Sequence, residues 1–234
     1  MKKLSPKGYE KLISLFRSLS GARSLWECFN DCINLFSLSF QNLSERGNAF
    51  RKNEEEYKQI FGKYKKEEQG FIYQIFAELS GEYEKNPYQD LLGELYMRLD
   101  MGSKALGQFF TPYNLSQLCA EMMDIEIIKN EISNNGYVLL NEPSCGAGAN
   151  IIAVMEYLFK NGINYQKEAV VVCQDISALA AKMCHVALSF LGCQAVIKIG
   201  DTLADPYEEY STERKRTNLL KTPFFVLYGG YKRV

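Results

Sequence analysis

The sequence predicts an α/β protein in two parts, a helical N-terminal region over residues 1–105 and a doubly wound α/β domain over 106–234. Three observations carry that expectation. Before residue 105, apolar residues recur every three and four positions with no strand-like alternation, which is the helical period. After it, short runs of β-forming residues alternate with helical patterns, as in a parallel sheet covered on both faces. Between the first such run and the helix after it lies Ser144-Cys145-Gly146-Ala147-Gly148, a glycine-rich turn.

The elements follow in order. Leu12, Ile13, Phe16 and Leu19 form one helical stripe. Trp26, Phe29, Ile33, Phe36 and Phe40 form a second, and Ile72, Ile75, Phe76 and Leu79 a third. Asn86-Pro87 ahead of Leu91, Leu92 and Leu95 reads as a helix start, with Asn86 as cap and Pro87 in the first turn. Residues 137–140 form the first expected strand, and Ile151, Ile152, Met155 and Leu158 mark the helix after the glycine turn. Residues 169–173 form a second strand, 178–191 a helix and 195–199 a third strand. The apolar run 224–228 is the expected fourth strand. In a sheet of this kind the ligand sits at the carboxyl ends of the strands.

Composition narrows the function classes. Lys and Arg number 27 against 28 Asp and Glu, so no global positive field holds a polyanion, and contact with nucleic acid needs local basic patches. No apolar run approaches the ~20 residues that span a bilayer, and no apolar stretch follows the first lysines as in a secretion signal. The seven cysteines show no paired metal spacing, and His185 is the only histidine, so no metal site is expected. Reduced thiols in a cytoplasmic protein are the simplest reading of the cysteines.

Chemistry-bearing residues concentrate at the expected strand tips. The glycine turn lets a ligand approach the backbone, and the helix it opens points free N–H groups at that ligand. Asp175 ends the second strand, where an acid commonly accepts hydrogen bonds from ribose hydroxyls. Gly200-Asp201-Thr202-Leu203 follows the third strand and offers a polar tip to a nucleobase.

Together these residues resemble the N6-adenine DNA methylase family, which includes the modification subunits of type I restriction systems. Gly107-Gln108-Phe109-Phe110-Thr111-Pro112 is similar to that family's Gly-x-Phe-[Phe/Tyr]-Thr-Pro element. Glu142-Pro143-Ser144-Cys145-Gly146-Ala147-Gly148 resembles its Asp-Pro-x-Cys-Gly-x-Gly loop, with Glu142 in place of Asp. Asp175-Ile176 stands where the ribose-binding Glu is usual, and Gly200-Asp201-Thr202-Leu203 matches the Gly-Asp-[Ser/Thr]-Leu element. The resemblance covers 107–203. It implies a Rossmann-like S-adenosyl-L-methionine-dependent methyltransferase domain. Phe109, Thr111 and Pro112 are then expected on the methionine side of the cofactor. Glu142, Pro143, Ser144, Gly146 and Gly148 are expected at its amino-acid end, Asp175 and Ile176 at the ribose, and Asp201 and Thr202 at the adenine.

The family's catalytic element, [Asn/Asp]-Pro-Pro-[Tyr/Phe] after the fourth strand, has no match beyond Asp201. Thr222-Pro223-Phe224-Phe225 lacks the Asn and the second Pro, so no catalytic residue is assigned. About 30 residues follow Leu203, room for one helix and one strand, and no target recognition domain is expected among them. Arg214-Lys215-Arg216 reads as a solvated loop. The expectation is therefore a cofactor-binding, DNA methylase-like chain that acts on DNA only with a partner subunit or is inactive alone. An apolar edge strand at 224–228 would need covering by the helical region, by a second copy or by a partner chain. Two other readings share these residues: an independent adenine methyltransferase with a substitute motif, and a non-catalytic decoy of a restriction-modification or mobile-element system.

Overall fold

The computed structural model describes residues 6–21, 23–99, 110–207 and 218–230. Five helices come first: α1 (Pro6–Ser20), α2 (Leu25–Asn42), α3 (Gly47–Phe61), α4 (Lys66–Lys85) and α5 (Leu91–Arg98). Then come α6 (Tyr113–Glu121), α7 (Ile125–Asn135), β1 (Val138–Glu142), α8 (Ala149–Lys160), α9 (Tyr165–Glu168) and β2 (Ala169–Asp175). The described chain ends with α10 (Ala178–Phe190), β3 (Gln194–Ile199), β4 (Leu219–Lys221) and α11 (Pro223–Leu227).

Side-chain caps set several of these helix starts. Ser24, Asp90, Asp124, Ser177 and Thr222 each accept a hydrogen bond from a backbone N–H in the first turn of α2, α5, α7, α10 and α11. Asn86 caps no helix start: it ends α4, and Asp90 opens α5, its carboxylate 3.0 Å from Gly93 N.

The sheet is a single four-stranded layer in the order β1-β2-β3-β4. The first three strands run parallel, with Leu139 beside Val170 and Val171 beside Ala195. β4 is antiparallel to β3, pairing Leu220 with Ile197, so the sheet is mixed. The strand order does not reverse among the described strands. The alternation of β2 then sorts its side chains. Val171 and Cys173 face the main core with α8 and α10, whereas Val170 and Val172 join Val196 and Phe225 of α11 on the other face.

Residues 224–228 correct the expectation of a fourth strand there. Thr222 caps and Pro223 opens a helix over Pro223–Leu227, which lays Phe225, 2% exposed, on the sheet. The apolar run buries one face of a short helix, so the edge strand that a second copy or partner was expected to cover at 224–228 does not form. The sheet's end strands are β1 and β4 among the described strands.

The N-terminal helices share the main core with the sheet. Phe40, Phe76 and Tyr83 surround Phe190 of α10 at ring-centroid distances of 5.0, 5.7 and 4.8 Å. His185 bridges α2, α10 and β4, with Nδ1 3.0 Å from Ser37 Oγ and Nε2 3.0 Å from the Lys221 carbonyl. No helix among the described residues is long and apolar enough to cross a membrane.

Candidate cofactor cleft

The loop after β1 makes two left-handed turns. Gly146 has φ +54° and Gly148 φ +98°, backbone shapes that glycine adopts without strain. A Cβ at either position would be tight: on Gly146 it would lie 3.1 Å from the Phe110 ring, and on Gly148 3.3 Å from Cys184 Sγ. The Cys145 amide bonds the Gln174 carbonyl at 2.9 Å and so ties the loop to the tip of β2.

Two carboxylates brace this loop. Asp175 accepts from Gly146 N and from Ser177 N, both at 2.8 Å, and so joins the glycine loop to the start of α10. Glu142 accepts from Ser144 N at 3.2 Å and from Asn150 Nδ2 at 3.1 Å; Asn150 Oδ1 in turn accepts from Ser116 Oγ at 2.7 Å. The loop backbone is thereby fixed before any ligand arrives, which lowers the ordering cost of binding.

Above the loop lies a cleft of about 350 Å³, within the range of roughly 300–1,000 Å³ usual for small-molecule sites. Of the expected site residues, Thr111, Ser144, Gly146, Asp175 and Ile176 line it. Pro112 instead lines a larger neighbouring hollow of about 810 Å³, which shares Phe110 and Thr111 with the cleft. Glu142, Pro143 and Gly148 shape the loop from behind and are not in the cleft wall. Phe109 and the basic run 214–216 lie outside the described residues.

Asp201 and Thr202 are not in the wall either. Asp201 turns its carboxylate on its own backbone, accepting from Leu203 N at 2.9 Å. Thr202 Oγ1 donates to the Pro143 carbonyl, which brings the third strand tip against the glycine loop. The segment after them is anchored from below. Gln174 bonds the Asp205 carbonyl and Tyr207 N, and buried Lys198 pairs with Asp205 at 2.7 Å.

Sequence reasoning passed over Phe110, Cys145, Ala147, Ala149, Asn150 and Ala180, which complete the lining. The first three sat inside the motifs already singled out. Ala149 and Asn150 lie in the first turn of α8 and Ala180 in the first turn of α10, helix starts that follow the strand tips and so border the cleft.

The profile of the N-6 DNA methylase family matches residues 88–225, more than half of the chain and the whole of this cleft. The chain belongs to the N-6 DNA methylase family. Among curated proteins, the methylase subunit of the type I restriction enzyme MjaIX from Methanocaldococcus jannaschii is 24% identical over 140 residues. That alignment takes in 58% of this chain but 23% of the subunit, so this N-6 DNA methylase spans about a quarter of the length of the relative it matches. Among solved structures, a Listeria monocytogenes protein described as a class I S-adenosylmethionine-dependent methyltransferase aligns with 98% of this chain and 70% of its own. The identity is 14% and the TM-score 0.44.

Proposed function

We propose that this N-6 DNA methylase binds S-adenosyl-L-methionine in the cleft above Ser144–Ala147, and that methylation of adenine N6 in DNA requires a partner subunit. The observation that carries the reading is the meeting of a braced glycine loop, the Asp175 carboxylate and Phe110-Thr111 around one hollow. The donor set fits the cofactor. Left-handed Gly146 in the cleft wall leaves no Cβ in the way of its amino-acid end, and a carboxylate at the tip of β2 suits a ribose diol. The bound cofactor would supply a methyl group on a sulfonium sulfur, transferred to an amine that gives up a proton.

Within this reading Gly146 and Ser144 present backbone to the ligand, Asp175 accepts the ribose hydroxyls, and Ile176 and Phe110 give apolar walls. Thr202 acts through the Pro143 contact, holding the loop in place, and Asp201 shapes the turn that carries Thr202. Residues 1–105 serve as a helical support and 106–234 as the cofactor domain, in a soluble cytoplasmic protein. No Asn-Pro-Pro element lies within residues 1–234, and in this reading a partner supplies the group that holds a flipped adenine. A strand added parallel to β1 would end beside the 142–148 loop, which is where such a group is needed.

Calorimetry with S-adenosyl-L-methionine tests the cofactor half directly. Asp175→Ala is expected to weaken binding about 10–100-fold, the loss of a hydrogen bond to a charged group at roughly 1.5–3 kcal/mol. Asp175→Glu, which restores the family's usual residue, is expected to recover most of it. Equal affinity in wild type and Asp175→Ala would remove the ribose assignment. No detectable binding by the wild type would favour the decoy reading. Methyl transfer to unmethylated DNA by the chain alone would overturn the partner requirement.

A further inference from the structure

Three sulfurs meet beneath the glycine loop. Cys145 of the loop, Cys173 of β2 and Cys184 of α10 place their Sγ atoms within 4.8 Å of one another. All three side chains are buried, yet Cys145 forms part of the cleft wall, which gives the cluster an opening toward solvent. No local spacing announces the cluster, because its members come from a loop, a strand and a helix. Among the described residues it is the one group of three or more His, Cys, Asp or Glu side chains close enough to share an ion.

We propose that Cys145, Cys173 and Cys184 form a three-thiolate site for one soft divalent cation of the zinc and cadmium class. A cation about 2.3 Å from each sulfur, the usual Zn–S distance, sets the sulfurs roughly 3.8–4.0 Å apart. The three sulfurs already lie inside 4.8 Å, so closing on an ion asks for small side-chain movements only. Thiolates select soft cations over the harder magnesium and calcium, whose ligands are oxygens.

Charge fits a divalent ion better than a monovalent one. Three thiolates around a divalent cation leave a single negative charge in the core. The first turn of α8 sits against the cluster, since Gly148, its N-cap, lies beside Cys184, and its free N–H groups favour that charge. An ordinary thiol, with a pKa of about 8.5, is protonated at neutral pH. Each thiolate formed on binding releases one proton to solvent, so affinity rises with pH. Because Cys145 belongs to the loop that floors the cleft, an ion here also stiffens that loop, whichever ligand the cleft takes.

Cd²⁺ titration of the reduced full-length chain tests the site through its thiolate-to-metal ultraviolet absorption and the protons released. A Cys119→Ser background removes the exposed thiol. The expected result is one Cd²⁺ per chain with a saturable absorption band. Cys145→Ala or Cys184→Ala should weaken it by more than the ~100-fold that losing an outer partner of a metal ligand costs. Cys193→Ala and Cys28→Ala should leave it unchanged. Should Cys173→Ala fail to fold, Cys145→Ala at the cleft wall decides the matter alone. A band that survives Cys145→Ala, or one that disappears with Cys28→Ala, overturns the proposal, as does no band at stoichiometric Cd²⁺.

Discussion

Two buried side chains, His185 and Asp90, couple stability to pH in opposite senses. Burial lowers the His185 pKa to about 4, and only its bond to the Lys221 carbonyl works the other way to a notable degree. The folded state thus refuses a proton that the unfolded chain takes up near pH 6.5, so stability is full above 6.5 and falls as pH drops toward 4. Burial raises Asp90 to about 6, against the hydrogen bond from Gly93 N, which favours the anion. The unfolded chain ionises this acid from about pH 3.9 and the folded chain only near 6, so stability falls as pH rises through that window. Each effect is on the order of 3 kcal/mol, and over pH 4–6 they nearly cancel. His185→Gln should therefore expose the Asp90 slope, with stability declining from pH 4 to 6, and Asp90→Asn should expose the rising His185 slope. Urea denaturation at half-unit intervals of pH reads both. If the two variants keep the wild-type slope, these side chains do not carry the coupling.

At the level of elements, the C-terminal segment teaches the most. Thr222 is fully buried and does three things: it caps α11, donates to the Cys193 carbonyl at 2.6 Å and accepts from Ala195 N at 3.0 Å. Thr222→Val keeps the shape and strands those groups. Its expected cost is roughly 2–4 kcal/mol, from about 1–3 kcal/mol per unsatisfied buried group, while Thr222→Ser should lose far less. Equal stability of wild type and Thr222→Val in urea would show that the hydroxyl is dispensable. Thr-Pro ahead of an apolar run is a helix-start signal, and it stood in the sequence; the run Phe-Phe-Val-Leu-Tyr outweighed it because periodicity alone cannot separate a short buried helix from a strand. The same rule worked for β1, β2 and β3, where β-branched residues and a following helix agree with the pattern. β4 was illegible: three residues, Leu-Leu-Lys, after Asn218 at φ +62° carry no periodicity at all. The cleft was legible where backbone shape demands glycine and where one acid ends a strand. It was illegible at Asp201 and Thr202, because spacing places a residue at a strand tip without telling whether its side chain turns to the ligand or to its own backbone.

For the whole molecule, the decisive asymmetry is that α11 covers one face of β2 and β3 and leaves that face of β1 open. Among the described residues β1 is hydrogen-bonded to β2 alone, and α11 reaches Val170, Val172 and Val196 but leaves Leu139 51% exposed. Met122 and Ile127, on the α6–α7 segment that precedes β1, are exposed at 79% and 62%. Unpaired strand edges bearing apolar side chains favour added strands, and lysine is a common natural block to such pairing. Leu139→Lys is accordingly expected to change the stability of the isolated chain by no more than about 0.5 kcal/mol, as for other exposed sites. The same substitution on the paired part of that face, Val170→Lys, puts a charge into a fully buried position and should cost several kcal/mol or abolish folding. A loss above ~2 kcal/mol for Leu139→Lys would mean that the face over β1 is already covered in the isolated chain. If a partner supplies the strand, as proposed, the expectation reverses: Leu139→Lys should then abolish the proposed partner-dependent methyl transfer while S-adenosyl-L-methionine still binds, because Leu139 does not line the cleft but lies on the strand with which the added one must pair.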